Sequence, residues 1–143
     1  IAKAVENGAT LHTGGEKLDR PGWFMSPALL TDIDPDSDLG CNELFGPAVM
    51  IYRAKDEEDA LRIANDTDFG LAANVWGRDL DDVLFLARRI KAGTVSVNGY
   101  SEGDISTPFG GYKQSGFGGR DNGMEAFEQY TEVKTIWLSL ARD

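Results

Sequence analysis

The sequence predicts an α/β fold: a mostly parallel βαβαβ sheet with flanking helices, followed by a C-terminal strand. Three observations lead there. Residues 48–52 (Ala-Val-Met-Ile-Tyr) form a continuous apolar run, as a strand covered on both faces would. Two further β-prone runs follow, Leu71 to Trp76 past Gly70 and Thr94 to Asn98. Between the three lie stretches with helical starts and stops, and the connections are short, which makes the strands parallel with right-handed crossovers.

Each element has a local reason. Ile1 and Val5 stand at helical spacing and Asn7–Gly8 ends their run, yet no N-cap precedes them. They read as the last two turns of a helix begun upstream, so the chain is expected to be a piece of something longer. Thr10–Leu11–His12–Thr13 is a short β-prone run closed by Gly14–Gly15. A second apolar run covers residues 23–30, with Pro27 placing it at a sheet edge or a bulge. Four aspartates surround Pro35 within residues 32–38; lacking the glycine and closing glutamate of an EF-hand, they predict a solvated turn. Asp56 caps a helix through about Asp66, with Glu57, Glu58 and Asp59 where the dipole favours acids. Asp79 caps another, in which Val83, Ala87 and Ile90 make one stripe and Arg88, Arg89 and Lys91 fill the last turn before Gly93. A short helix is expected over residues 121–129. The run from Tyr130 to Leu140 then reads as a long strand, with Ile136, Leu138 and Leu140 on one face. Left bare, so apolar a strand invites aggregation, and it is expected to pair with another chain.

Residues 108–121 carry five glycines in fourteen positions. That density rules out a helix or strand interior, where each glycine costs backbone entropy. A flexible linker would not be filled with Phe109, Tyr112, Phe117 and Arg120, so an ordered, winding loop is expected.

Composition narrows the function classes. The chain has 143 residues, 41% hydrophobic and 27% charged, ordinary values for a globular protein. A net charge of −10 argues against nucleic acid as a partner. No apolar run approaches a membrane span and nothing resembles a signal peptide. One cysteine, Cys41, excludes an internal disulfide framework and fits a reducing, cytoplasmic compartment. With one histidine, His12, neither a Cys–His nucleophile pair nor a His-rich metal site is easily built, and no metal is expected.

In a parallel sheet ligands bind beyond the carboxyl ends of the strands. The loop after the third expected strand, residues 99–107, is therefore the default place for chemistry; it holds Tyr100, Ser101, Glu102, Asp104 and Ser106. Glu43–Leu44–Phe45–Gly46–Pro47 offers a second possibility, a carboxylate for sugar hydroxyls beside an apolar ring, against the alternative of an ordinary surface acid. The glycine-rich stretch lacks both the phosphate-loop and the dinucleotide GxGxxG patterns. Nothing near Cys41 supplies the base or positive field that activates a thiol, and a structural role suits it better.

Five motifs, in order, carry a resemblance to the aldehyde dehydrogenase superfamily. They are Glu43–Leu44–Phe45–Gly46–Pro47, Phe69–Gly70–Leu71–Ala72–Ala73, Gly93–Thr94–Val95–Ser96–Val97–Asn98, the stretch from Pro108 to Arg120, and Thr131–Glu132–Val133–Lys134–Thr135. Together they cover essentially the whole chain. The resemblance implies the C-terminal portion of a catalytic domain over residues 1–129 and a terminal oligomerisation strand over 130–143, with the NAD-binding domain outside this chain. Asn98 to Asp104 and Thr135 to Ser139 look most like enzymes that oxidise γ-glutamyl-γ-aminobutyraldehyde and related aminoaldehydes.

Residue by residue, the resemblance makes Glu43 the acid on the nicotinamide-ribose hydroxyls, Phe45 the aromatic packed beside the nicotinamide of NAD (or NADP), and Leu71 a wall of the nicotinamide pocket. Gly99, Tyr100, Ser101, Glu102, Gly103 and Asp104 match the loop gating the aldehyde tunnel, and Phe109 an aromatic wall beside the reacting carbon. Glu102 and Asp104 would favour an amine-bearing aldehyde by electrostatic steering. The family's nucleophilic cysteine, general-base glutamate and oxyanion-hole asparagine match nothing here, and Cys41 does not align with the nucleophile. Before Arg120, Gly118–Gly119 is one residue longer than in many members.

In the whole enzyme the resemblance implies cysteine attack on the aldehyde, hydride transfer to NAD and hydrolysis of the thioester. It also implies a homo-oligomer, dimer or tetramer, through residues 130–140. The isolated chain is expected to be inactive. Two other readings stand beside this one: a non-catalytic assembly module, and a piece of an acyl-CoA-forming semialdehyde dehydrogenase.

Overall fold

The structure, a computed structural model, describes residues 1–100 and 103–140. The chain divides into two compact units, Ile1–Thr67 and Asp68–Asp143.

In the first unit, α1 (Ala2–Glu6) leads into β1 (Thr10–Thr13), β2 (Ala28–Thr31), α2 (Asp38–Cys41), β3 (Ala48–Met50) and α3 (Glu57–Asn65). β2 runs antiparallel to β1 and parallel to β3. It is thus the central strand, with Leu30 wholly buried and Ala28 nearly so. Around them gather Ala4, Ala9 and Ile33, with Leu11, Ala48 and Met50 packed alongside. The edge position expected for the run at Pro27 is not what forms. Pro27 stands one residue before β2, where its missing N–H interrupts no rung, and the irregularity falls on β1 between Leu11 and Thr13. Pro27 also sets the turn opposite. A Cβ on Gly14 would lie 1.8 Å from the Pro27 carbonyl oxygen, so only glycine fits there.

The aspartate-rich stretch is a solvated turn that closes into one helical turn. Asp34 Oδ1 accepts from Asp36 N (3.0 Å), and Ser37 Oγ accepts from Gly40 N (3.3 Å) to cap α2. β3 is shorter than expected, and its outward neighbours Val49 and Ile51 stay half exposed, so it is not covered on both faces here. α3 begins where its cap predicts. Asp56 Oδ1 accepts from Asp59 N (2.8 Å), while Asp59 Oδ2 accepts from Lys55 N (3.2 Å).

In the second unit, β4 (Phe69–Gly70) is followed by β5 (Ala72–Val75), α4 (Leu80–Arg89), β6 (Thr94–Val97), β7 (Tyr112–Lys113) and a 3₁₀ segment, Met124–Tyr130. β5 and β6 pair in parallel from Ala72↔Thr94 to Val75↔Val97, with α4 packed on both. Asp79 Oδ1 caps α4 by accepting from Asp81 N (2.9 Å), and Val83 from the expected stripe is buried. The expected α/β class holds, with one change of partners. The strand before α3 takes its parallel ladder from β2, so the parallel pairs are β2–β3 and β5–β6 instead of one run of three. The expected strand from Leu71 to Trp76 forms as β5; just before it Phe69–Gly70 pairs antiparallel with β7, and Leu71 is the hinge between the two ladders.

The glycine-rich stretch is ordered. Phe109 and Asp121 exchange backbone hydrogen bonds (2.6 and 2.7 Å), Gln114 N donates to Asp68 O (2.9 Å), and Gly70 N donates to Ser115 Oγ (3.0 Å). Its glycines let backbone lie on backbone. A Cβ on Gly111 would sit 2.2 Å from Ser115 O, and one on Gly116 would sit 2.6 Å from Gly111 O. The short helix expected over 121–129 is the 3₁₀ segment, begun by Gly123 at φ +63 and tied back by Gln129 Nε2 to Arg120 O and Asp121 Oδ1. Tyr130 belongs to that segment, and residues 131–140 join no ladder among the described residues. The expected terminal strand therefore has no ladder partner among the described residues; Val133, Ile136, Trp137, Leu138 and Leu140 are all exposed. No helix among the described residues is long and apolar enough to cross a membrane.

Candidate functional site

The candidate residues are divided between the units. In the first, Glu43 and Phe45 lie on the connection from α2 to β3. Two successive tight turns shape it: Gly46 N donates to Leu44 O (2.9 Å) and Ala48 N to Gly46 O (2.8 Å). Pro47 O, which accepts from Ala28 N (2.9 Å), ties the connection to the sheet. Leu44, itself 39% exposed, lines a hollow of about 210 Å³ with Ile1, Ala4 and Leu39. Its two neighbours remain outside. Phe45 is 96% exposed, and the exposed Glu43 makes no hydrogen bond or ion pair among the described residues. A carboxylate with both oxygens available, two residues from a bare flat ring, suits a sugar diol beside a planar heterocycle.

In the second unit, Leu71 is partly exposed at the ladder hinge, its carbonyl accepting from Thr94 N (3.2 Å). Gly99 and Tyr100 leave the carboxyl end of β6, with Tyr100 82% exposed. Ser101 and Glu102 lie outside the described residues. Gly103, at φ +90, begins a compact turn in which a Cβ would meet Thr107 Oγ1 at 2.1 Å. Asp104 governs that turn. Its Oδ1 accepts from Ser106 N (2.7 Å) and Ser106 Oγ (2.5 Å), while Thr107 Oγ1 donates to Asp104 O (2.8 Å). The Ser106 hydroxyl, then the Ser106 amide, hold the Asp104 carboxyl below the usual aspartate range, so it is ionised at neutral pH. Phe109 lines an open, largely apolar hollow of about 620 Å³ with Ile105, Ala126, Phe127 and Tyr130; Asp121 and Asn122 supply its polar edge.

Phe109 and the loop thus meet at one hollow through Ile105, whereas Leu71 is not on its wall. Sequence reasoning missed Ile105, Phe127 and Tyr130 as lining residues. The last was assigned to a strand because its neighbours are apolar. Sequence reasoning also left Ser106 and Thr107 without a role; hydroxyls two and three residues after an aspartate are the signal that would have marked the turn. Cys41 is exposed, with Sγ 3.1 Å from Pro35 O, and no cationic group or histidine approaches it in any bond described. His12 Nε2 lies 2.8 Å from Thr31 Oγ1, and that hydroxyl lies 2.9 Å from Asp32 Oδ2. Among the described residues no three His, Cys, Asp or Glu side chains gather as a metal would require.

The parallel pairs β2–β3 and β5–β6, with helices in the connections between strands, are those of an α/β segment. A model of the aldehyde dehydrogenase family matches residues 1–136, and the chain belongs to that family. It is 50% identical over 116 residues to the NADP/NAD-dependent aldehyde dehydrogenase PuuC of Escherichia coli, covering 81% of this chain and 23% of that protein. It is 49% identical over 117 residues to an aminoacetaldehyde dehydrogenase of Pseudomonas aeruginosa, covering 82% and 24%. An NAD+ complex of an aldehyde dehydrogenase from Bacillus cereus superposes with a TM-score of 0.88 at 38% identity, over 98% of this chain and 28% of that one. The chain spans about a quarter of the length of these relatives.

Proposed function

We propose that the full-length protein carrying this segment oxidises an aldehyde, with aminoaldehydes as the favoured class, to its carboxylic acid using NAD or NADP. The single observation that carries the reading is the pairing of Glu43, whose carboxylate is uncommitted, with the bare ring of Phe45 two residues on. In this reading Glu43 accepts hydrogen bonds from the nicotinamide-ribose hydroxyls and Phe45 packs beside the nicotinamide, while Leu71 keeps the nicotinamide-facing role that the family resemblance gives it. The bound dinucleotide supplies the hydride acceptor. Gly99 to Asp104 and Phe109 shape the aldehyde's path, excluding water and holding the reacting carbon in line, which is the orienting share of catalysis. The relative named aminoacetaldehyde dehydrogenase favours an amine-bearing substrate.

The same reading makes the isolated segment inactive, since no residue in it takes the part of nucleophile or base, and places the enzyme in the cytoplasm. The exposed run from Val133 to Leu140 would join subunits into a dimer or tetramer. In the full-length protein, Glu43→Gln and Phe45→Ala should each raise KM for the dinucleotide about tenfold while leaving KM for the aldehyde near its starting value. Unchanged cofactor KM in both variants would refute the assignment. NADH formation by the isolated segment above a protein-free control would refute its inactivity.

A further inference from the structure

Asn98, the residue between β6 and the candidate aldehyde loop, does three things at once. Its N–H donates to Val75 O (2.8 Å), adding one rung to the β5–β6 ladder. Its φ is +51, a left-handed conformation uncommon outside glycine but tolerated by asparagine. Its side-chain amide meets a single residue twice: Nδ2 donates to Gly77 O and Oδ1 accepts from Gly77 N, both at 2.9 Å. The amide therefore takes the place of the next strand residue after the backbone has turned away. Gly77 is itself backed by the helix, since a Cβ there would lie 2.5 Å from Val83 Cγ1, and Val83 is buried. A continuous path of fixed groups runs from the core of α4 through Gly77 to the exit of β6.

We infer that Asn98 is a positioning residue for aldehyde selection: it sets the direction in which the chain leaves β6, and with it where Gly99 and Tyr100 stand, without touching substrate or cofactor. Ending a ladder does not require a left-handed residue, because an extended residue would satisfy Val75 equally well. A non-glycine held at positive φ by two side-chain bonds is the pattern of backbone strain retained for a purpose. It occurs at the carboxyl edge of a parallel pair, where ligands bind. Further along, the chain is held again, by the Asp104 turn and by Gly123 N donating to Ile105 O (2.9 Å).

The inference rests on the aldehyde-oxidising reading, and its test separates the two. In the full-length protein, Asn98→Gly keeps a backbone suited to φ +51 and removes both amide bonds. Asn98→Asp keeps the acceptor for Gly77 N and loses the donor. Asn98→Gly should raise KM about tenfold for aldehydes, by factors that differ between short and long chains, with cofactor KM within about twofold and little change in Tm; Asn98→Asp should fall between. Amide hydrogen exchange at Gly77 should quicken at least tenfold in Asn98→Gly. Equal factors for every aldehyde and for the cofactor, or exchange at Gly77 that does not change, would overturn the inference while leaving the functional reading intact. Failure of the unmutated protein to make NADH from any aldehyde would overturn the functional reading and, with it, the role in aldehyde selection.

Discussion

Residues 108–121 and residues 131–140 are both rich in aromatic and apolar side chains, yet one is closed upon itself and the other is bare. The first sends its amide groups to Asp68, Asp121 and Tyr112 and brings glycine against backbone. The second joins no ladder among the described residues, and Trp137 remains 91% exposed. Composition does not separate them, since the segment with more glycine is the more ordered. What separates them is whether the backbone groups find partners within the chain, because an unpaired amide removed from water is costly. A segment that finds none is completed by another surface or stays in solvent.

The strongest test of that contrast falls on the bare segment. If residues 131–140 pair between subunits, Ile136→Lys with Leu138→Lys removes two buried side chains worth about 2 kcal/mol each. The subunit dissociation constant should rise nearly a thousandfold, about 1.4 kcal/mol per decade, and light scattering should show a smaller particle. An unchanged mass would return the segment to the solvent.

Inside the ordered segment two glycines can be set against each other. Gly111→Ala drives a methyl to within 2.2 Å of Ser115 O, backbone that cannot give way, and should cost about 3 kcal/mol. Gly118→Ala meets nothing within 4 Å and carries only the strain of φ +112, about 1–2 kcal/mol. Denaturant melts of the full-length protein should rank them in that order; the reverse would mean that conformational freedom, not close approach, explains the glycines. Ser115→Ala is the milder partner test. It leaves Gly70 N without its acceptor and should cost about 1 kcal/mol in the same melts.

Much of this was legible in the sequence, and the reasons can be named. The caps at Asp56 and Asp79 were readable because a cap is a local matter: the aspartate and the amides it satisfies lie within three residues. The order of the glycine-rich loop was readable because its fillers are side chains that pack. The partner of β3 was not readable. Alternation with helices announces parallel strands but not which earlier strand is adjacent, and the run holding β2 was placed at a sheet edge or a bulge because of a proline that lies just outside the strand. The strand Phe69–Gly70 escaped because it is two residues long and its partner, Tyr112–Lys113, lies within the glycine-rich stretch. At the candidate site, Glu43, Phe45 and Phe109 were approached through motifs. Asn98 as a clamp and Phe127 as a wall depend on contacts across twenty residues or so, which spacing alone does not announce.

The smallest expected effect concerns Asp104, where order and charge can be separated in one side chain. The turn uses Asp104 Oδ1 only as an acceptor, from the amide and hydroxyl of Ser106, and an asparagine oxygen can accept the same bonds. Asp104→Asn should therefore preserve the loop while removing the charge. A unit charge acting over about 10 Å of water is worth about 0.4 kcal/mol, so KM for an amine-bearing aldehyde should rise about twofold at low salt and KM for a neutral aldehyde should not change. Added salt should erase the difference. Acid offers an independent handle on the unmutated protein. Because Ser106 lowers the folded-state pKa of Asp104, the stability gained from ionisation is fully present above the ordinary aspartate value of about 3.9 and disappears as pH falls through the lower folded value. Exchange of the Ser106 amide, corrected for its intrinsic pH dependence, should lose protection over that acid range, while in Asp104→Asn it should stay flat. A twofold rise for neutral and charged aldehydes alike would assign Asp104 to the shape of the loop and leave no electrostatic preference for amines to it.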